Sequence, residues 1–310
     1  MIIEASWKEL SARLCADPQV RLVYVLGEVD TGKSTVATYL YREALRRGAS
    51  GYIDADCGQS RVGPPATLGL LHAPHAPQTD TSSDTLPEGQ TLLRFVGSTS
   101  PARNLLQTAT ALRRLTDAAG EQNIPHEGGL LVVDSSGFLG GNAGVTFQLN
   151  TIELLRPDAL LVMDAGTAAA HIARGFERTP GMRVARVPVS SKARRRDRGE
   201  RSRHREERFR RYFAGACEQS ISLSDVSLEG RLPNPRRSSS YRDRLCALSD
   251  GSRFVVALGI VTGFDPAARE LDLLAPPLSL EARERIAVVQ FGELHLAADG
   301  TEKGTPAEGS

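Results

Sequence analysis

The sequence predicts an α/β fold, a P-loop nucleotide-binding unit with a mostly parallel sheet flanked by helices, followed by a small β-rich C-terminal domain. Three observations predict it. From residue 21 to about residue 190, unbroken apolar runs alternate with amphipathic stretches, as when buried parallel strands are joined by crossover helices. Beyond about residue 218 the apolar runs shorten and turn residues such as Asp250-Gly251 separate them, so strand follows strand. Between the first apolar run and the helix after it stands Gly27-Glu28-Val29-Asp30-Thr31-Gly32-Lys33-Ser34, which has the G-x-x-x-x-G-K-[ST] spacing of a phosphate-binding loop.

Each element follows from local signals. Residues 4–16 form an amphipathic helix with Trp7, Leu10 and Leu14 on one side, stopped by Asp17-Pro18. The run RLVYVL at 21–26 is a buried strand. Lys33 to Arg47 is a helix with Val36, Tyr39, Leu40 and Ala44 facing inward, and Gly48 ends it. Further strands are expected at 52–54, 92–96, 129–133, 158–163 and 183–188, and helices at 102–118 and 144–155. Leu71 to Gly89, rich in Pro, His, Ser, Thr and Asp, reads as a surface loop in which His72 and His75 are solvated rather than metal-bound. ISLSDVSL, RFVVALGIV, LDLLAPPL and AVVQFGELHLA supply the C-terminal strands. The expected domains are 1–217 with an Arg-rich segment at about 190–213, 218–300, and a disordered polar tail at 301–310.

Composition narrows the function classes. With 38 Lys+Arg against 37 Asp+Glu the formal charge is +1, which excludes binding of nucleic acid by broad charge neutralisation. The charge is nevertheless polarised. Lys192 to Arg211 holds 11 basic and 4 acidic residues, an excess of +7 that leaves the rest of the chain at −6. No apolar run, Phe254–Val261 included, is long enough to span a bilayer, and the N-terminus lacks signal-peptide character. Cys15, Cys57, Cys217 and Cys246 are scattered without a C-x-x-C pair. Together these predict a cytoplasmic protein with reduced thiols and no membrane partner.

The chemistry centres on the glycine-rich loop. Its glycines let successive N–H groups face one anion, and the following helix adds the partial positive charge of its N-terminus. Residues Gly27 to Thr35 are thus the expected ATP cradle, with Lys33 on the β- and γ-phosphates and Ser34 on Mg²⁺. Only Lys8, Lys33, Lys192 and Lys303 are lysines, so a lysine at this position is a specific choice. Three carboxylates stand at strand ends, where a parallel sheet presents its ligand crevice. Asp56 is expected as general base or metal anchor with Asp54 supporting it, and Asp134 as a metal ligand, directly or through water. Asp134 and Gly137 also form D-x-x-G, a γ-phosphate sensor in GTPases, which keeps a nucleotide switch as an alternative; no N-K-x-D accompanies it. Arg194, Arg198, Arg201, Arg205 and Arg208 recur at spacings of 4, 3, 4 and 3, one stripe on a helix, with Glu206–Arg210 as an i,i+4 pair. Phe209, Tyr212 and Phe213 would pin such a helix to the body, and an arginine lid suits a transferring phosphoryl group.

Taken together, these residues resemble the polynucleotide 5′-hydroxyl kinase family of RNA-processing enzymes. The family's G-x-x-D-x-G-K-[ST] loop is similar to GEVDTGKST, with Asp30 in place. Its D-x-G-Q motif corresponds to Asp56, Gly58 and Gln59 in DADCGQS, and its T-x-G-W motif to Ser135, Gly137 and Phe138, a departure at two positions. The lid pattern R-x-x-x-R followed by Y-F resembles Arg201, Arg205 and Tyr212-Phe213, and FVGSTSP (95–101) and GELHLAADGTE look like family segments. The resemblance covers about residues 20 to 301 and implies a minimal, prokaryotic-type member without the eukaryotic N-terminal domain. It implies transfer of the ATP γ-phosphate to the 5′-OH end of RNA or DNA. In that reading Asp56 takes the hydroxyl proton, and Lys33, Arg201 and Arg205 stabilise charge. Gln59, Ser135 and Phe138 are the acceptor-end residues; Phe138 and Tyr52 are candidate base platforms, with burial in the core the expected fate of each. RNA-processing proteins are the implied partners. The alternative is an ATP-loaded structural subunit with little turnover.

Overall fold

The single tryptophan starts the fold. Helix α1 (Ala5–Ala16) buries Trp7, Leu14 and Cys15, and the Trp7 indole donates to the Pro188 carbonyl at 3.0 Å, tying the first helix to the far end of the domain. The computed structural model describes residues 4–73, 85–164, 166–190, 193–194, 196–232 and 238–303. His75, Lys192, Arg195 and the tail beyond Lys303 lie outside the described residues.

The chain divides into two units. The first comprises residues 1–63, 68–92 and 100–196. Its strands are β1 (Leu22–Leu26), β2 (Ser50–Asp54), β3 (Thr67–Ala73), β4 (Gln90–Phe95), β5 (Leu131–Asp134), β6 (Ala159–Asp164) and β7 (Arg183–Pro188), in the sheet order β4-β3-β2-β5-β1-β6-β7. The five strands β2, β5, β1, β6 and β7 run parallel, and β3 joins β2 antiparallel, so the sheet is mostly parallel as expected. Val23, Tyr24, Val25 and Leu26 are all buried, which explains the continuous apolar run: a central parallel strand is covered on both faces. Helices α2 (Lys33–Leu45), α3 (Leu105–Glu121), α4 (Gly141–Leu155) and α5 (Thr167–Phe176) link the strands. β1 lies between β5 and β6 rather than beside β2, the next strand in sequence. That reversal of strand order opens a crevice at the carboxyl ends of the strands, beside the loop after β1.

The second unit comprises residues 64–67, 93–99 and 197–310. It holds helix α6 (Arg198–Tyr212) and an antiparallel sheet built from β8 (Cys217–Ser222), β10 (Arg244–Ser249), β11 (Val255–Asp265), β12 (Glu270–Ala275), β13 (Val288–Leu296) and β14 (Glu302–Lys303). The short β9 (Ser227–Gly230) adds to β13 in parallel. Period-two alternation gives this sheet two apolar faces. Cys246 and Leu248 of β10 pack with Tyr241, Leu273 and Phe291, while Leu245 and Ala247 pack with Phe209 and Phe213 of α6.

Several expectations change here. The longest segment of the second unit begins at Asp197, so α6 groups with the C-terminal sheet rather than with the expected domain 1–217, because Phe209 and Phe213 are buried in that sheet's core. Residues 302–303 form a strand with β13, so the tail is ordered past residue 301. His72 lies in β3, its Nδ1 3.1 Å from the Ser50 carbonyl, not in a loop. Arg194 precedes α6, because Asp197 and Glu200 form a reciprocal capping box that starts the helix at Arg198 and removes Arg194 from the helical stripe. Arg210 pairs with Glu207 at 2.8 Å rather than with Glu206, since the exposed Glu207 is the carboxylate on its face of the helix. Among the described residues no helix is long and apolar enough to cross a membrane.

Candidate active site

The loop after β1 has the shape of an anion cradle. Gly32 takes φ 85 at the N-cap of α2, and Asp30 takes φ 61, a conformation Asp tolerates better than most side chains. A Cβ on Gly27 would lie 2.7 Å from Met163 Cγ and 2.8 Å from Thr31 Oγ1, so only glycine fits. No side chain caps the N-terminus of α2. Its first amides are therefore left to a ligand, with the helix dipole behind them.

Lys33 and Asp134 face each other at the base of this cradle. Lys33 Nζ stands 3.9 Å from Asp134 Oδ1, with the two side chains 7% and 1% exposed. Asp134 Oδ2 accepts the Tyr52 hydroxyl at 2.8 Å, while Oδ1 is buried and accepts no hydrogen bond. Burial, reinforced by the charge of Asp134, holds the Tyr52 pKa far above its ordinary value, so Tyr52 is a firm donor. It is therefore core structure and not a base platform. One carboxylate oxygen with unfilled lone pairs beside a phosphate loop fits Mg²⁺, which is held by one or two carboxylates together with phosphate oxygens and water. Asp134 Oδ1 and the Ser34 hydroxyl are the protein groups that would hold it.

The D-x-D pair divides its labour. Asp54 is buried and pairs in register with Asp134 on the adjacent strand. Its carboxylate accepts the backbone amides of Asp56 at 3.0 Å, Arg61 at 2.5 Å and Val62 at 3.0 Å. Burial, then the charge of Asp134, outweigh those donors and push its pKa up to about 6. Asp56 is half-exposed, and its Oδ1 accepts the amides of Gly58 and Gln59, both at 2.9 Å. The turn is thus held through one oxygen of Asp56, and the other takes no part in it. Gln59 sits beside it with Nε2 on the Gly58 carbonyl at 2.9 Å.

The Ser135–Phe138 segment sits against the loop. Gly137 approaches so closely that a Cβ would lie 2.8 Å from the Val29 amide nitrogen, which accounts for its glycine without a switch role. Ser135 is fully buried with its hydroxyl toward the Ser136 carbonyl at 3.4 Å, so it does not present itself to an acceptor. Phe138 is half-buried against Phe147, ring centroids 6.2 Å apart. Of the expected arginines, Arg201 and Arg205 lie on α6 in the second unit. Arg205 gives Nε to Glu302 Oε1 at 2.6 Å and Nη2 to Oε2 at 3.3 Å.

Three contributors escape sequence reasoning. Arg61 Nη1 reaches the Thr38 hydroxyl at 2.9 Å and the Ser34 carbonyl at 3.2 Å, bracing the first turn of α2; its one signal is its place just after the GQS turn. Tyr24 donates to Gln148 at 2.6 Å, and Gln148 Nε2 donates to the Ser136 carbonyl at 3.1 Å, a buried strut under residues 135–138. Arg196 holds Asp30 from 166 positions away, which no local pattern announces.

Comparison with known proteins points the same way. A family model described as the mRNA cleavage and polyadenylation factor CLP1 P-loop matches residues 27–215. The chain is 32% identical to a polyribonucleotide 5′-hydroxyl-kinase of Pyrococcus furiosus, in a match covering 67% of this chain and 55% of that relative's length. It is 25% identical to the polyribonucleotide 5′-hydroxyl-kinase of Pyrococcus abyssi and 24% identical to that of Methanocaldococcus jannaschii, each match covering 91% of this chain and 89% of the relative. Among solved structures, Clp1p from a Clp1p–Pcf11p complex aligns with a TM-score of 0.68 over 94% of this chain and 79% of that chain, at 16% identity, a likeness of fold.

Proposed function

The chain belongs to the CLP1 P-loop family, and from that membership we propose that it is an ATP-dependent polynucleotide 5′-hydroxyl kinase acting on the end of an RNA or DNA strand. The observation that carries the reading is the buried Lys33–Asp134 pair beneath an uncapped helix N-terminus, with one Asp134 oxygen unfilled. Such a set holds a nucleoside triphosphate by its phosphates and leaves a place for a divalent cation.

The proposed reaction balances simply. The 5′-hydroxyl oxygen bonds to the γ-phosphorus, and the bond from that phosphorus to the β,γ-bridging oxygen breaks, releasing ADP. The hydroxyl proton passes to the Asp56 oxygen that takes no part in the turn. Gly27 to Thr35 surround the phosphates through their backbone amides, and Lys33 neutralises charge at the β,γ-junction. Mg²⁺, when bound, supplies further positive charge at the phosphate oxygens. Gln59 and Phe138 border the acceptor end, with Ser135 supporting them from behind, and Arg201 and Arg205 are the lid cations. Proteins of an RNA-processing assembly are the proposed partners, and a cytoplasmic location accompanies that role.

Lys33→Ala should lower transfer of labelled phosphate from ATP to a 5′-OH oligoribonucleotide by at least about 100-fold. A thermal melt on the same sample establishes that the variant is folded. A folded Lys33→Ala protein that still labels the oligonucleotide at the wild-type rate overturns the assignment. The Arg205–Glu302 pair favours a second reading, an ATP-holding subunit with little turnover, because a lid arginine so engaged is withheld from phosphate. Tight ATP binding by the wild type without labelling of any RNA or DNA end would select it.

A further inference from the structure

We propose that Asp30 and Arg196 form a positioning pair that fastens the start of the arginine-bearing helix to the phosphate loop. The proposal rests on reading this site as one that transfers a phosphoryl group from ATP. It begins from an oddity of the loop itself. A carboxylate inside an anion cradle repels the phosphates that the cradle is built to hold, so its presence needs a reason.

The geometry supplies one. Both oxygens of Asp30 accept from Arg196: Oδ2 accepts its backbone N–H at 2.9 Å, and Oδ1 accepts its Nε at 3.1 Å. The Asp30 side chain is 2% exposed, whereas that of Arg196 is 46% exposed, so the acid is sealed beneath its partner. A charge-assisted pair of bonds of this kind is directional as well as strong. The loop also requires a residue that accepts φ 61 at this position. Glycine or asparagine would meet that requirement alone. Aspartate meets it and also answers both donors of Arg196 with a full charge.

The position of Arg196 in the chain gives the pair its consequence. The next residue, Asp197, is the N-cap of α6. Its Oδ1 accepts the Glu200 amide at 2.7 Å, and Glu200 Oε2 accepts the Asp197 amide at 2.9 Å. The residue bonded to the phosphate loop and the capped start of the helix are therefore consecutive in the chain. The pair fixes Arg196, the residue immediately before the N-cap of the helix that carries Arg198, Arg201 and Arg205. The acid thus contributes to transfer by fixing where the lid begins, and its charge is cancelled by the residue it fixes.

The test uses the full chain carrying Asp30→Asn, Arg196→Ala, both together, and Arg196→Lys. Asparagine preserves the backbone conformation while removing the charge. Each of the first two single variants should lose at least about tenfold in phosphate transfer to a 5′-OH oligoribonucleotide, as expected for a misplaced catalytic element. Their affinity for ATP, titrated directly, should stay within about threefold of wild type, unlike that of Lys33→Ala. The double variant should be no worse than the worse single, the signature of one shared interaction. Arg196→Lys, which keeps the backbone donor and a charge, should recover most of the activity. Hydrogen exchange at the Arg196 amide should rise by at least about tenfold in Asp30→Asn, whatever the enzyme's turnover. Additive losses in the double variant, wild-type transfer by Asp30→Asn, loss of ATP affinity in that variant, or unchanged exchange at Arg196 would each overturn the proposal. If the wild type labels no polynucleotide end, the transfer reading itself fails, and the exchange experiment still decides whether the pair exists.

Discussion

Asp54 shows how burial and hydrogen bonding compete at a single carboxylate. Its backbone donors favour the charged form, yet removal from water beside Asp134 prevails and sets its pKa at about 6. The folded chain therefore binds this proton more tightly than the unfolded chain, whose value is 3.8. The sign follows: the contribution to stability is complete below pH 3.8 and is lost as pH rises through about 6, a span worth at most about 3 kcal/mol. Urea titrations near pH 4.5 and pH 7 of wild type and Asp54→Asn should show the difference between the two proteins shifting toward wild type on acidification. A difference that stays constant with pH would mean that the donors dominate after all. At this scale the sequence was legible where chemistry imposes a fixed spacing. The phosphate loop and the strand-end acids Asp54, Asp56 and Asp134 all stand at the carboxyl edge of the sheet, as the alternation of strand and helix implied. Arg61 and Arg196 were not legible, because an arginine acquires its partner from the tertiary fold. Ser135 was assigned by motif to the acceptor end but lies sealed behind the loop, since a motif records which residue is present and not which way it faces.

At the scale of elements, α6 is where sequence pattern and structure part most instructively. The arginine spacing correctly announced a helix, but its start is set by the Asp197–Glu200 capping box and its face by Phe209 and Phe213. Once those aromatics turn inward, Arg201, Arg205 and Arg208 become half-buried flank residues, while Arg198, Arg203, Arg210 and Arg211 face solvent. Arg205 then meets Glu302 of β14, whose carboxylate takes the fork that a phosphate would otherwise use. Glu302→Gln should release Arg205 and raise the transfer rate constant by about two- to tenfold with the KM for ATP unchanged. The accompanying loss of stability should be about 1 kcal/mol or less, as for a partly exposed pair. Steady-state kinetics with a melting curve on the same sample checks both. A fall in rate together with a lower melting temperature would assign the pair to packing instead. The strand at 183–188 was legible to the residue, whereas β3, β10 and α5 were not identified. Short apolar runs such as TLGLLHA and RLCALS fit strand, loop or buried helix equally well until their neighbours are known.

For the molecule as a whole, the sequence suggested two domains in series, and the chain does form two units, but it crosses between them five times. Residues 64–67 and 93–99 belong to the C-terminal unit although the phosphate-loop unit surrounds them in sequence. The second of these segments includes part of FVGSTSP, which has no helical or strand periodicity to explain its composition. The structure explains it by close passage: Gly97 and Gly292 meet so tightly that a Cβ on Gly97 would lie 2.8 Å from Gly292 Cα, and Glu293 donates its amide to the Gly97 carbonyl at 2.9 Å. Arg94 stacks over Phe254 at 5.5 Å and reaches the Ser252 carbonyl. Ala66 and Phe95 are buried among Phe209, Phe213, Leu245, Leu258 and Leu296. These two short segments pair with each other, Val96 and Gly97 donating to the Ala66 carbonyl, and take further partners from after residue 196, at separations no local reading can detect. A fragment ending at Arg196 would expose Phe95 and Ala66 to water, at about 1.5–3 kcal/mol for a phenylalanine-sized side chain, and leave the Glu293–Gly97 and Arg94–Ser252 hydrogen bonds unmade. Set against a total stability of roughly 5–15 kcal/mol, that is a large fraction. Residues 1–196 alone should therefore elute as aggregate or melt well below the full chain, and co-expression with residues 197–310 should restore a soluble complex that binds ATP. A monomeric 1–196 fragment with the full chain's melting temperature would show that the threaded segments carry no weight, and that the nucleotide-binding unit folds as the serial reading supposed.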